Sequence, residues 1–166
     1  MSAAEIRTLL DYHYWARDRL LEAVEALDAA TFTAPRESSF SSIRDTLAHT
    51  CLAELVWYSR WQGRPPSSFP ALDQFADAAS LRTAWRELEE QVRVFIEPMS
   101  DADMTRVVHY RMFSGAEAAS PIGQMVQHLV NHASYHRGQV TTMLRQAGAK
   151  PAKSMDLITF YREVPR

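Results

Sequence analysis

Two histidines four residues apart, His132 and His136, are the clearest chemical signal in this 166-residue sequence. On a helical wheel of about 100° per residue they lie near the centre of an apolar face with Met125, Leu129 and Met143. A buried imidazole nitrogen without a partner costs about 1–3 kcal/mol, which is large against a total stability of about 5–15 kcal/mol. A divalent metal removes this cost by taking one ring nitrogen from each histidine. The pair predicts a metal site, and the alternative is two core histidines with hydrogen-bonded rings.

A third ligand has to come from another helix, and two histidines compete for that role. His49 lies midway along a helical segment that is apolar over much of its circumference. His13 lies in the apolar stripe of the N-terminal segment, one turn before Arg17. His128 falls at the edge of the apolar face, where a hydrogen-bonding or pocket-rim role is expected. His109 lies in a β-prone segment, where solvent exposure is expected.

The elements that position these residues follow from apolar periodicity. Stripes with three- and four-residue steps predict helices over about 3–28, 42–62 and 81–96, with a loop through Thr33 after the first. The fourth helix is predicted to begin with Ser120 as its N-cap and Pro121 at its first position. Gly148 marks its other end. Four long helices around one core predict an all-α four-helix bundle.

Two shorter segments complete the predicted domain. Residues 105–113 are β-prone and predict a short hairpin or loop between helices 3 and 4, and residues 155–162 predict a short C-terminal helix. No linker or repeat divides the chain, so we expect a single domain over 1–166.

Composition excludes several functional classes. There are 18 Lys and Arg against 20 Asp and Glu, and no basic run, which argues against a nucleic-acid partner. The single cysteine, Cys51, excludes a cysteine-based zinc site and fits a reducing compartment.

Residues 118–136 lack charge, but Pro121, several amides and three histidines argue against a membrane span. With no signal-like N-terminus, we expect a cytoplasmic protein without a membrane partner. HExxH, P-loop and Glu-x-x-His patterns are absent.

Several blocks of the sequence form a recognisable set. The most specific block is His-x-x-x-His-Arg-Gly-Gln, here His132–Gln139. It is accompanied by Leu144–Gly148, by Asp156–Tyr161, by Thr46–His49 with Glu54 and Trp57 after it, and by Tyr14–Ala16 in the opening helix. Together these blocks resemble the DinB/YfiT-like family of four-helix-bundle metalloproteins.

The resemblance implies a metal centre and leaves the reaction open. It implies that His49, His132 and His136 are the ligands of a divalent metal ion, zinc or nickel, which favours His49 over His13. It also implies frequent homodimers. Characterised relatives include thiol-dependent S-transferases and a mycothiol-dependent isomerase. Arg17 stands where many relatives carry Asn, which leaves the pocket near the first helix undefined.

Three neutral histidine ligands would leave open positions on the metal, as in catalytic rather than structural sites. An open position can lower the pKa of a bound water or accept a thiolate. Glu54 and His13 are candidate acid/base or pocket residues, the alternative for Glu54 being a contact that supports a ligand or caps a helix. Arg17 or Arg137 is a candidate for binding a substrate carboxylate, the alternative being a surface ion pair.

Other neighbours have supporting roles in this hypothesis. Gln139 and Tyr135 are candidates for orienting the ligands. Cys51 is expected to be a small buried side chain. Trp57, Tyr58 and Trp61 give the second helix more apolar surface than one core needs, which suggests a cover by a second subunit or by the C-terminal segment.

Two functions follow as hypotheses. The first is a small cytoplasmic metalloenzyme that transfers a low-molecular-weight thiol to, or hydrolyses, a small-molecule substrate at a three-histidine metal centre. The alternative is a non-catalytic, metal-stabilised dimeric binding or stress protein.

Overall fold

Four long helices form the body of the computed structural model, which describes residues 1–164. They are α1 (Ala3–Val24), α3 (Ile43–Trp61), α4 (Ala78–Ile96) and α6 (Ile122–Gln146). Helix α6 packs beside α1 and α3, and α4 packs against the other sides of the same two helices. Helices α1 and α3 therefore face each other diagonally across the core. The predicted four-helix bundle is confirmed, and the two histidine-bearing helices α3 and α6 are neighbours.

Short elements connect the four long helices, and one more follows the last of them. They are α2 (Ala29–Thr33), a 3₁₀ turn (Leu72–Gln74), α5 (Asp101–Thr105), β1 (Val107–Arg111), β2 (Glu117–Pro121) and α7 (Leu157–Glu163). Strands β1 and β2 pair antiparallel, with His109 opposite Ala119. The predicted hairpin and C-terminal helix are therefore present. His109 is exposed on β1, as expected.

The first helix is shorter than its periodicity predicts. It ends at Val24, and Asp28 then starts the separate helix α2 by accepting a hydrogen bond from the Thr31 amide at 2.7 Å. The predicted boundary at residue 28 is wrong, and Thr33, predicted to lie in a loop, ends the short helix α2. A short polar residue with an extended backbone favours the start of a new helix over continuation of the old one.

The start of the fourth helix is also displaced. Ser120 is not an N-cap but a residue of β2 opposite Val108, and Pro121 is the N-cap rather than the first helical residue. The Ile122 amide donates to the Arg106 carbonyl at 3.1 Å, so the hairpin supplies a partner that a serine side chain would otherwise offer. The opposite end is confirmed at Gly148, whose φ of 69° lies in the left-handed region that favours glycine.

The aromatic residues near the end of α3 are covered within the chain. Trp61 stacks on Phe95 of α4, and Tyr58 meets the same ring edge-on. Trp57 contacts Tyr110 of β1 at 5.4 Å between ring centroids. The apolar surface proposed to meet a second subunit or the C-terminal segment is thus occupied by α4 and the hairpin. The homodimer stays a prediction that rests on the resemblance.

Among residues 1–164, no helix combines the length and the apolar character that crossing a lipid bilayer requires.

Candidate metal centre

Three histidine rings converge where α3 meets α6. The Nε2 atoms of His49 and His132 are 3.2 Å apart, and those of His132 and His136 are 3.0 Å apart. Two nitrogens that each lie 2.0–2.1 Å from a tetrahedral zinc ion are separated by about 3.3 Å. The cluster therefore has the donor type and spacing of a metal site, and it contains His49 rather than His13.

Burial keeps these rings uncharged. It lowers the pKa of His49 and of His132 to about 4, with a further contribution from the neighbouring His136, and it also lowers the pKa of His136. Neutral imidazole is the form that binds metals. His136 is buried, whereas His49 and His132 are half-buried, so the cluster has one side towards the core and one towards solvent.

A hydrogen bond sets the tautomer of His136. Its Nδ1 atom lies 2.7 Å from Gln139 Oε1, and Gln139 Nε2 donates to Ser39 Oγ at 2.7 Å. Because the amide oxygen can only accept, His136 Nδ1 carries the proton and Nε2 keeps its lone pair for a metal. The predicted orienting role of Gln139 fits this geometry. Tyr135 lies on the exposed side of α6, with its ring 5.2 Å from that of His136.

Stacking orients the ring of His49. Phe40 lies parallel to it at 4.2 Å, and Phe69 lies on it at 5.2 Å. Both phenylalanines come from the segments that flank α3, and sequence reasoning missed them. Their signal is an isolated aromatic residue in an otherwise polar loop, which usually needs a partner ring or a core to cover it.

Glu54 and His13 lie together in a separate buried network. Glu54 Oε2 accepts from His13 Nε2 at 2.9 Å and from Trp85 Nε1 at 2.7 Å, and Oε1 accepts from the Tyr14 hydroxyl at 2.6 Å. His13 and Glu54 are each 1% exposed. We call these four residues the Glu54 network. They join α1, α3 and α4 at the centre of the bundle.

The charges of the Glu54 network follow from its donors. Burial alone would raise the pKa of the Glu54 carboxyl, but His13 and the other donors hold it below its ordinary value. Burial lowers the pKa of His13 against the pull of Glu54, and burial beside this carboxylate raises the pKa of Tyr14. The carboxylate is therefore ionised and accepts three hydrogen bonds. Its role as an acid/base catalyst stays a prediction.

Both arginines considered for substrate binding are buried, so the alternative of a surface position is wrong for each, although Arg17 does form ion pairs. Arg17 is 1% exposed and pairs with Glu89 at 2.5 Å and with Asp18 at 2.9 Å. Arg137 donates to Ser134 Oγ at 2.7 Å and to Tyr12 Oη at 3.2 Å. The intrahelical and interhelical partners of both side chains draw them inwards.

Arg137 also bridges the two histidine regions. Its Nη1 atom lies 3.5 Å from His13 Nδ1, while the preceding residue, His136, belongs to the histidine cluster.

Cys51 is buried as expected, and burial raises the pKa of its thiol, so it is not an activated nucleophile.

His128 lies at the rim of the cluster. It is exposed, and its ring stacks on that of His132 at 5.9 Å and meets Trp57 at 5.2 Å. Within residues 1–164, the group of side chains close enough to share a metal ion consists of His49, His132 and His136, and His128 is not part of it. This is the rim position that its place on the helical wheel predicts.

Comparison with known proteins agrees with this geometry. The model of the DinB family matches residues 1–162. The chain belongs to the DinB family. Protein DinB of Bacillus subtilis is 27% identical over 148 residues, which cover 84% of each chain.

Solved structures share the DinB-family fold. YfiT from Bacillus subtilis, described as a probable metal-dependent hydrolase with an unusual four-helix bundle topology, has a TM-score of 0.74. It is 15% identical, and the match covers 90% of this chain and 91% of YfiT. A DinB-like protein from Bacillus cereus has a TM-score of 0.69 at 18% identity, over 88% of this chain and 95% of its own.

Proposed function

We propose that this DinB-family protein is a metal-dependent enzyme that activates water or a low-molecular-weight thiol against a small-molecule substrate. The observation that carries the proposal is the convergence of three neutral Nε2 atoms at a half-exposed place on the bundle. YfiT, which shares the fold, is described as a probable metal-dependent hydrolase, and this supports the proposal.

In this proposal His49, His132 and His136 hold a divalent metal ion, zinc or nickel. Bound there, the ion would supply Lewis acidity that lowers the pKa of a coordinated water or thiol towards neutrality. Gln139 fixes the proton of His136 on Nδ1, and Phe40 and Phe69 hold the His49 ring in its orientation. The chain therefore provides a preorganised, uncharged ligand set that leaves the positive charge of the ion uncompensated.

The half-burial of His49 and His132 favours catalysis over the alternative of a non-catalytic, metal-stabilised binding or stress protein. Structural zinc sites take four protein ligands, whereas catalytic sites take three and keep a position for water or substrate. The protein contributes a group of three histidines here.

Metal content tests the ligand assignment. After mild chelation and dialysis against zinc or nickel, mass spectrometry should find about one equivalent in the wild type and a strong loss in His132→Ala. His109→Ala is the matched control, because His109 is exposed on β1. Equal metal in the wild type and His132→Ala would refute the assignment.

Activity tests decide between the two nucleophiles. The metal-loaded protein should either conjugate glutathione, bacillithiol or mycothiol to an electrophile or hydrolyse an ester or amide panel, and His132→Ala should abolish the activity. A metal-loaded wild type without turnover in either set would support the non-catalytic alternative.

Sedimentation at micromolar concentration tests the homodimer, and fractionation of the producing cells tests the cytoplasmic location.

A further inference from the structure

Within residues 1–164, the buried arginines Arg60 and Arg137 both lack a carboxylate partner, but Arg137 donates to two side-chain hydroxyls. The Arg60 side chain, on α3, is 5% exposed. Its Nε atom has no hydrogen-bond partner, and within residues 1–164 no carboxylate lies within 4.0 Å of its guanidinium. By contrast, the buried guanidinium of Arg17 is paired with two carboxylates.

Aromatic rings take the place of a counter-ion at Arg60. The guanidinium carbon lies 4.6 Å from the ring centroid of Trp57, 4.9 Å from that of Tyr110 and 5.4 Å from that of Phe113. Such cation–π contacts offset part of the desolvation cost but leave the buried Nε–H donor without an acceptor. Burial lowers the pKa of Arg60, yet an arginine stays protonated at neutral pH. The protein thus holds a cation with free hydrogen-bonding capacity.

Ring contacts connect Arg60 to the metal cluster along α3 and α6. Trp57 meets His128 at 5.2 Å, and His128 stacks on His132 at 5.9 Å. Three steps of 4.6–5.9 Å therefore lead from the guanidinium to a proposed metal ligand.

A second line of rings reaches the same cluster from the loop side. Phe113, in the turn of the hairpin, meets Phe69 at 6.0 Å, and Phe69 stacks on His49 at 5.2 Å. The rings of both lines are half-buried or exposed, and we call them the aromatic surface between the histidine cluster and Arg60. Phe113, whose ring centroid lies 5.4 Å from the guanidinium carbon of Arg60, is itself 46% exposed.

We propose that Arg60 binds a carboxylate of the substrate whose reacting group lies at the three-histidine cluster. A carboxylate suits it because the planar guanidinium can donate two parallel hydrogen bonds to the two carboxylate oxygens. The aromatic surface between the two ends would contact the apolar part of the same molecule. This inference rests on the proposed function and adds the chemical class of the substrate. The substrate is a small molecule whose carboxylate reaches Arg60 while its reacting atom lies at the histidine cluster.

The test uses cobalt(II) bound to the full chain and a series of thiols. The thiols are 3-mercaptopropionate, 6-mercaptohexanoate and 11-mercaptoundecanoate, each beside its methyl ester. Thiolate binding is followed by the thiolate-to-cobalt absorption band, which does not depend on turnover. At the chain length that spans the surface, the acid should bind the wild type about tenfold more tightly than its ester, as a charge-assisted hydrogen bond predicts.

Variants assign the preference to Arg60. Arg60→Gln should keep cobalt and ester binding while losing the preference for the acid, and Arg60→Lys should keep only part of it, because it lacks the planar fork. Arg64→Gln, at an exposed position just after α3, is the matched control and should keep the full preference.

The outcomes separate this inference from the proposed function. Failure of the wild type to bind cobalt contradicts the metal centre itself. If cobalt and the thiols bind but the acid shows no preference over its ester at any chain length, the role of Arg60 is overturned. A preference that survives in Arg60→Gln also overturns it, because that preference would come from chelation of cobalt by the carboxylate itself. If Arg60→Gln does not fold, an undiminished preference in Arg60→Lys overturns it.

Discussion

The histidine cluster and the Glu54 network place the same residue type in opposite surroundings. His13 is 1% exposed and bonds a carboxylate through Nε2, with an arginine near its Nδ1. His49 and His132 are half-buried, and within residues 1–164 the polar contacts of their Nε2 atoms are with other imidazole nitrogens. Neutral imidazoles that face one another lack enough donors for their lone pairs, whereas His13 has partners on both nitrogens.

The contrast indicates that the histidine cluster is a candidate binding site and that the Glu54 network supports the fold. The Glu54 network is complete without any added group and ties three helices together in the core. In the proposed function, a cation accepts the lone pairs of the histidine cluster. Variants in the network should therefore lower stability first, and variants in the cluster should lower metal affinity first.

The largest effect is expected from removing the centre of the network. Glu54→Ala leaves the donors of His13, Tyr14 and Trp85 without an acceptor and should lower the free energy of unfolding by about 3–5 kcal/mol. Urea unfolding measures this, with the exposed Glu90→Ala as the control. A loss below about 1 kcal/mol would show that the network is not a structural clamp.

A smaller and different effect is expected beside the cluster. Gln139→Ala removes the acceptor for His136 Nδ1 and should weaken metal binding by about 10–100-fold with little change in the unfolding midpoint of the metal-free protein. Competition with a chromophoric chelator measures the affinity, and Gln127→Ala, on an exposed position of the same helix, is the control. Equal affinities for Gln139→Ala and the wild type would contradict an orienting role.

The cluster should also make the metal-free protein sensitive to acid. The pKa values of His49 and His132 are about 4 in the folded protein against 6.5 ordinarily, so the unfolded chain binds more protons between these values. Stability is then full above about pH 6.5 and falls as the pH drops towards 4, by roughly 1–2 kcal/mol after allowance for partial solvent exposure.

Unfolding titrations from pH 7 to 4 test this sign. The dependence should be weaker in His132→Ala than in the wild type, and bound metal should shift the loss to lower pH, because protons and metal compete for the rings. An unchanged dependence in His132→Ala would assign it to carboxylates elsewhere.

The smallest effect is expected from the ring that orients His49. Phe40→Leu keeps an apolar side chain but removes the stack at 4.2 Å and should weaken metal binding about threefold. The same chelator competition measures it, with Phe95→Leu at the α3–α4 contact as the control. A metal affinity that falls equally in both variants would indicate a general loss of packing.

Much of this arrangement was predictable from periodicity. The wheel positions of His132 and His136 placed them on one face of α6, and the apolar stripes located four helices. Helix boundaries were less predictable. Ser120 belongs to a strand whose partner lies in β1, and Asp28 caps a new short helix through the Thr31 amide, which apolar periodicity does not reveal.

The two buried arginines show another limit of sequence reasoning. Arg17 and Arg137 read as surface cations because charged residues are rarely buried without a partner. The structure supplies Glu89 for the first and the hydroxyls of Ser134 and Tyr12 for the second. Arg60 gave no signal, since its aromatic neighbours come from α3 itself and from a hairpin about fifty residues later.

Which residues share a helical face follows from the amino-acid sequence, because the helix repeat sets the angle between them. His132 and His136 lie on one side of α6, and Glu54 lies about 140° from His49 on α3. Which helix each face meets depends on how the helices pack. Since α3 is beside α6 and diagonal to α1, His49 joins the metal cluster, while Glu54 reaches across the core to His13. Local spacing cannot encode that choice, because it depends on packing between segments that are distant along the chain.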